Sequence, residues 1–343
     1  MSLEFGLRIM PSTDLRDVAA CARAAEDAGF DVAWIGDSQL LARDVWAAMA
    51  MIADRTERIR IGSCVNTFEV RHPTVTASAA ATVEEMAAGR VIIGVGTGDS
   101  AVKTVGIRPT KLSAMRENIA LLRQLLLGDD VEIAGRTVRL RGAPGHEMPI
   151  YIAATGPKAL TLAGEVADGV IILAGIAPHL IGRSVDRVRE GAERAGRRFE
   201  DIDVCLGTFC YVTDDPSVAA KIVKPYVVGM AQLGGTEALR SIGIDIEAPA
   251  VVPGVYPDMV HAEDWDHACR VAEQWVTDDM ARRYSENYCL VGSAAEVIER
   301  IETAVSAGVS SFYIRHWSTY TLPTELLEPF GRQILPHFAG SRA

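Results

Sequence analysis

Apolar positions recur along this chain in two alternating patterns. Short runs rich in Val, Ile and Phe begin near Phe5, Val32, Ile59, Val91, Ile150, Val170, Val204 and Ser311, and they read as eight buried strands. Between them lie stretches whose apolar residues recur at helical spacing. Several of these helices have legible ends. Asp14 can cap the helix that runs to Gly29, and Ser293 with Glu296 three residues on forms a capping box ahead of Ile298, Ile301 and Val305. Gly308 is placed to stop that last helix.

Eight strand–helix alternations predict an α/β fold, a closed parallel (βα)8 TIM barrel in preference to an open doubly wound sheet. Two long gaps interrupt the rhythm, at about 127–148, with a hairpin predicted from Val131 to Arg139, and at about 230–288. They read as insertions after strands 4 and 7 within a single domain, 1–343. In such a barrel, chemistry belongs where strands pass into the loops that follow them. Strand 2 closes with Ile35-Gly36-Asp37-Ser38, strand 3 with Ser63-Cys64-Val65-Asn66, strand 4 with Gly96-Thr97-Gly98-Asp99, and strand 5 with Thr155-Gly156-Pro157-Lys158. All four should meet at one mouth.

Composition removes several functions. An apolar content of 49% supplies a continuous core, while a net charge of −11 disfavours binding to nucleic acid or an anionic membrane, which needs clustered Lys and Arg. No segment is long and apolar enough to span a bilayer, and the N-terminal residues lack a basic region followed by an apolar run. Six cysteines without a C-x-x-C pair suit a reducing cytoplasm. His261 and His267 stand among Glu263, Asp264 and Asp266, but no H-x-x-x-H spacing occurs, so a solvated helix start is expected there and no metal.

The glycines of Gly94-Val-Gly96-Thr-Gly98 fall one residue short of a dinucleotide fingerprint. Without side chains they let a flat, wide ligand lie against the backbone, with Asp99 directing a carboxylate at it; alternatively they permit positive φ and Asp99 caps the next turn. After strand 5, Pro157 suits the first turn of a helix, and the free N–H groups beside Gly156 and Lys158 form a place for a phosphate or an ordinary loop-to-helix junction. Cys64 reads either as a small buried residue or as a nucleophile with no histidine near it in sequence. Asp37 can be a helix cap and Ser38 a solvated hydroxyl.

Taken together, Ala33-Trp34-Ile35-Gly36-Asp37, Arg71-His72-Pro73 with Thr76-Ala77-Ser78, Ile93 to Asp99, Tyr151 to Pro157, Ala163 to Gly169 and Ile334 to Phe338 resemble the bacterial luciferase-like superfamily. Within it they are most similar to the deazaflavin-dependent methylene-tetrahydromethanopterin reductases. The resemblance implies a homodimeric barrel that binds coenzyme F420. It places the phosphate at Thr155, Gly156, Pro157 and Lys158 and the ring near Asp37, Ser38, Cys64, Val65, Gly96, Thr97 and Gly98. It also implies a non-prolyl cis peptide within Ser63-Cys64-Val65, at Cys64–Val65, backing the ring. Relatives that oxidise alcohols or sugar phosphates have Asp-His where this chain has Asp37-Ser38, so the usual base for removing a hydroxyl proton is missing.

These features point to a reductase: hydride passes from C5 of reduced F420 to a C=N or activated C=C substrate such as a methylene-tetrahydropterin. Asp99 and Asp37 are the candidate catalytic carboxylates, with Asp99 stabilising positive charge. Two alternatives share the cleft, an FMN-dependent luciferase-like monooxygenase and a non-catalytic flavin-binding protein. The 230–288 insertion is expected to select the substrate.

Overall fold

A computed structural model describes residues 3–341. Its strands, in chain order, are β1 (Glu4–Ile9), β2 (Val32–Ile35), β3 (Arg60–Ser63), β4 (Val91–Val95), β5 (Val131–Ile133), β6 (Arg136–Val138), β7 (Ile150–Ala154), β8 (Gly169–Ile172), β9 (Asp203–Val212), β10 (Cys289–Gly292) and β11 (Ser311–His316). Eight of them, β1, β2, β3, β4, β7, β8, β9 and β11, pair in parallel in that order, and β11 returns to β1 to close a barrel. These are the eight strands expected from the apolar runs.

Each strand turns alternate residues to opposite faces. Leu7 and Ile9 of β1, Ala33 and Ile35 of β2, and Phe312 and Ile314 of β11 pack in the large core that includes the surrounding helices. Val32, Trp34, Ile92, Tyr151, Ile171, Cys205 and Tyr313 form a separate cluster, the barrel interior. Trp34 fits there because its neighbours lack side chains: a Cβ on Gly6 would lie 2.3 Å from its Nε1, and one on Gly62 2.2 Å from its Cε3.

Helix ends follow the sequence signals. Asp14 accepts from the Arg16 N–H at the start of Leu15–Ala28, Gly29 ends that helix at φ 96°, and Ser293 and Glu296 make the reciprocal capping box of Ala294–Ser306. The first gap contains the antiparallel β5–β6 hairpin at the expected place. The second contains helices Thr236–Ser241, Trp265–Ala272 and Asp278–Tyr288, which join Pro216–Gln232 in an apolar cluster of their own. Asp264 caps Trp265–Ala272 by accepting from the His267 N–H, and His261 pairs with Asp258 before that helix begins. The apolar runs did not reveal β10, whose four residues follow a helix directly and pair with the far end of β9.

Glu26 ties the first helix to β3. Its carboxylate accepts from the N–H groups of Glu57, Arg58 and Ile59 at 3.0, 2.6 and 2.8 Å. Burial alone would raise its pKa, but these three donors outweigh burial and the net shift is downward. The resulting stability is complete above the ordinary value near 4.5 and is lost as pH falls through the lower folded value. Glu26→Ala should therefore destabilise the fold by about 2–4 kcal/mol at neutral pH, with a smaller difference in strong acid, as read by urea unfolding.

Candidate active site

The ends of β2, β3 and β4 are laced together around Asn66. Its backbone N–H donates to the Gly94 carbonyl at 2.8 Å, and its carbonyl accepts from the Gly96 N–H at 2.9 Å. Its side-chain Nδ2 donates to Asp37 Oδ2 at 2.7 Å. Asp37 also accepts from Arg71 Nε at 3.3 Å, and Arg71 Nη2 donates to Asp44 at 2.8 Å. The Asp37 side chain is only 2% exposed. A carboxylate can only accept, so Asp37 fixes which end of the Asn66 amide faces it. Asn66 Oδ1 is left as a buried acceptor, and like the Ser38 hydroxyl it has no partner within the protein.

The peptide between Cys64 and Val65 is cis, where the resemblance placed it. Burial pushes the Cys64 thiol up to about 11, although Tyr313 and the charges of Arg8 and Arg315 pull it down. At neutral pH it is a protonated thiol and a poor nucleophile.

The three glycines of β4 and its loop each answer a different constraint. A Cβ on Gly94 would meet the Ser63 carbonyl oxygen at 2.1 Å, one on Gly96 would meet Val65 Cγ2 at 2.8 Å, and Gly98 alone has positive φ, at 100°. Gly94→Ala should destabilise the protein by about 3 kcal/mol in chemical denaturation, because the clash is with backbone that cannot move aside.

Asp99 stands at the rim. Its side chain is 61% exposed and ion-paired with Lys103, and it does not cap the short helix Ser100–Lys103. After β7, the strand next to β4, Gly156 precedes helix Pro157–Val166 with Pro157 in its first turn, and nothing lies within 4 Å of a Cβ built on Gly156. Thr155 and Pro157, with Ala174, Arg183 and Arg187, line a 430 Å³ cavity beside that helix start. A larger groove, 840 Å³ around Thr213, Asp278 and Arg300, lies away from these strand ends. The site is better defined by its converging polar groups than by volume.

The first and last barrel strands were expected from the sequence, but no site residue was expected on either. Arg8 of β1 and Arg315 of β11 both bear on Cys64, and the Arg8 Nη2 lies 3.9 Å from a Cβ built on Gly36. The signal was present as a charged residue within each strand, but the strand ends considered were those of β2, β3, β4 and β7. Arg183 and Arg187 were missed because they lie on the next helix, Pro178–Arg194.

The arrangement suits a flat aromatic ligand. A glycine-relieved wall at Gly94 and Gly96, the orphaned Ser38 and Asn66 oxygens, and an open helix start for an anion supply a surface, hydrogen-bonding atoms and a charge site. Comparison with known proteins agrees. The chain is 34% identical to the 5,10-methylenetetrahydromethanopterin reductase of Methanolobus tindarius over 74% of its own length and 78% of that protein's. It is 29% identical to the Methanopyrus kandleri enzyme of the same name over 98% and 99% of the two chains. The solved structure of the coenzyme F420-dependent tetrahydromethanopterin reductase from M. kandleri superposes with a TM-score of 0.78 at 25% identity, covering 98% of this chain and all of that one. The luciferase-like monooxygenase family model matches residues 2–311, and the chain belongs to that family.

Proposed function

We propose that this protein is a coenzyme F420-dependent oxidoreductase that reduces a C=N or activated C=C bond, with a methylene-tetrahydropterin as the model substrate. The observation that carries this reading is the end-to-end similarity to methylenetetrahydromethanopterin reductases, joined to a site whose orphaned polar atoms fit a flat ring. Bound F420 supplies the hydride. Asp37 positions Asn66, and Ser38, Asn66, Gly96, Thr97 and Gly98 border the ring, with Cys64 and Val65 as its backing. Thr155, Gly156, Pro157 and Lys158 receive the phosphate. Asp99 offers its carboxylate to a cationic substrate at the rim, in competition with Lys103.

The absence of histidine at position 38 supports reduction over alcohol oxidation, because a C=N acceptor needs no hydroxyl proton removed. Ser38→Ala should weaken F420 binding by about fivefold, the worth of one hydrogen bond, while the single-turnover rate of hydride transfer stays within about threefold. Loss of the rate with intact binding would instead make Ser38 part of a proton relay.

Lys103, Arg108, Lys111 and Lys158 are all exposed around the mouth. If they meet an anionic tail of the cofactor, binding should weaken steadily as ionic strength rises from about 0.01 M to about 1 M, which shortens the screening length from about 30 to about 3 Å. An affinity flat across that range would remove the four residues from the proposal.

A homodimer remains part of this reading. The small residues Ala77, Ala80 and Ala81 of helix Pro73–Ala87 are already buried against the protein's own barrel, so the face available to a second copy carries Val75, Ser78, Thr82 and Met86. Val75 and Met86 are exposed apolar residues there. Light scattering at micromolar concentration should give twice the chain mass, and Val75→Glu should shift it towards one.

A further inference from the structure

We propose that Arg8 and Arg315 form an oxyanion-binding pocket for the substrate, so that the molecule reduced carries a carboxylate or phosphate group. The inference rests on the F420-dependent reading for the word substrate, and on the geometry for the pocket.

Arg315 is the inward residue that follows Tyr313 along β11, and its guanidinium carbon lies 4.0 Å above the Phe209 ring. Phe209 is in turn stacked on Tyr226 at 3.7 Å, and Tyr226 meets Trp265 at 4.7 Å. Tyr226 belongs to helix Pro216–Gln232, and its hydroxyl donates to the Trp317 carbonyl. This aromatic stack holds the guanidinium in place without neutralising it. Among the described residues no carboxylate pairs with Arg315, and its Nε is buried with no hydrogen-bond partner. Arg8 approaches from the neighbouring strand β1. Its Nη2 donates to the Met10 sulfur at 3.4 Å, and among the described residues no carboxylate pairs with it.

Two like charges on adjacent strands repel each other. Burial, and then the charge of Arg8, lower the Arg315 guanidinium from its usual value. A partly desolvated guanidinium is costly unless an anion meets it, and a pair of them is more so. In a chain with net charge −11, carboxylates are plentiful, yet among the described residues none pairs with either guanidinium. The missing counter-charge is therefore supplied by a ligand. Planar guanidinium groups suit carboxylate and phosphate oxygens, which accept several N–H bonds at once.

The position separates this pocket from the cofactor's phosphate. Around the barrel, β1 is diametrically opposite β7, and β11 is opposite β4. The helix start at Gly156 follows β7, so an anion at Arg8 and Arg315 lies on the other side of the mouth. There it lies under the residues between β9 and β10, where Tyr226 and Trp265 sit.

Isothermal titration calorimetry of succinate and of inorganic phosphate tests the proposal, on protein saturated with F420 and on protein without it. F420 affinity is measured separately by fluorescence. At least one anion should bind the wild type. Arg8→Gln and Arg315→Gln should each weaken it by tenfold or more, Arg315→Lys by less, and all three should leave F420 affinity within about threefold. The anion that binds more tightly identifies the group. No anion binding to the wild type, equal binding in the Gln variants, or loss of F420 affinity in place of anion affinity would each overturn the pocket. Failure of F420 itself to bind, with the anion pattern intact in the cofactor-free protein, would sink the F420 reading and leave the pocket standing.

Discussion

Gly96→Val should reduce F420 affinity by at least about 100-fold while leaving a folded barrel. A Cβ at this position already lies 2.8 Å from Val65 Cγ2, and the two methyl groups of valine would extend from it into the space assigned to the ring. Strand β4 ends at Val95, so the added atoms disturb the loop and not the sheet. The cost falls on binding because a flat ligand needs close contact along its whole face, and a lost contact of about 3 kcal/mol corresponds to that factor. Fluorescence titration gives the affinity and circular dichroism the fold. Unchanged affinity would mean that the ring lies elsewhere. In Gly94→Ala the clash is instead with the Ser63 backbone, and stability should fall first.

Asp37→Asn is the second large effect, and it acts at a distance of one residue. In the wild type the carboxylate compels Asn66 to present Nδ2, which leaves Oδ1 as the free acceptor. An amide at position 37 lets Asn66 turn over, so that a donor replaces the acceptor intended for the ligand. F420 affinity should fall by about 30-fold. Stability should fall by only about 1–2 kcal/mol, since Arg71 keeps Asp44 as a partner at 2.8 Å. A purely structural brace would reverse those magnitudes. Asp37→Ala leaves Asn66 unconstrained and should lose affinity to a similar extent with a larger loss of stability. Asp99→Asn, at an exposed site already paired with Lys103, should lower kcat by no more than about tenfold, because charge interactions at exposed positions are screened.

Much of this was legible in the chain itself, for physical reasons that differ between elements. The eight barrel strands were visible because buried parallel strands read as unbroken apolar runs, and the capping signals at Asp14 and Ser293 marked helix ends by local hydrogen bonding. The glycine run was visible as a motif but not as three separate solutions. Only the folded chain shows that Gly94 faces the Ser63 carbonyl, Gly96 faces Val65, and Gly98 needs its positive φ. Asp37 was named as a candidate, but its partners Asn66 and Arg71 lie 29 and 34 residues away. Arg71 itself was quoted only as part of a resemblance. Arg8 and Arg315 escaped notice because their convergence depends on closure of the barrel between β1 and β11, a contact 307 residues apart in the register Glu4 to Ser311. Non-local pairing of this kind has no local sequence signature.

The central claim is that this barrel is built for a deazaflavin. Parallel fluorescence titrations of the purified protein with F420 and with FMN, under identical salt and pH, test it most directly. F420 should bind at least about tenfold more tightly than FMN; equal or reversed affinities would contradict the claim and favour a flavin-dependent monooxygenase in its place.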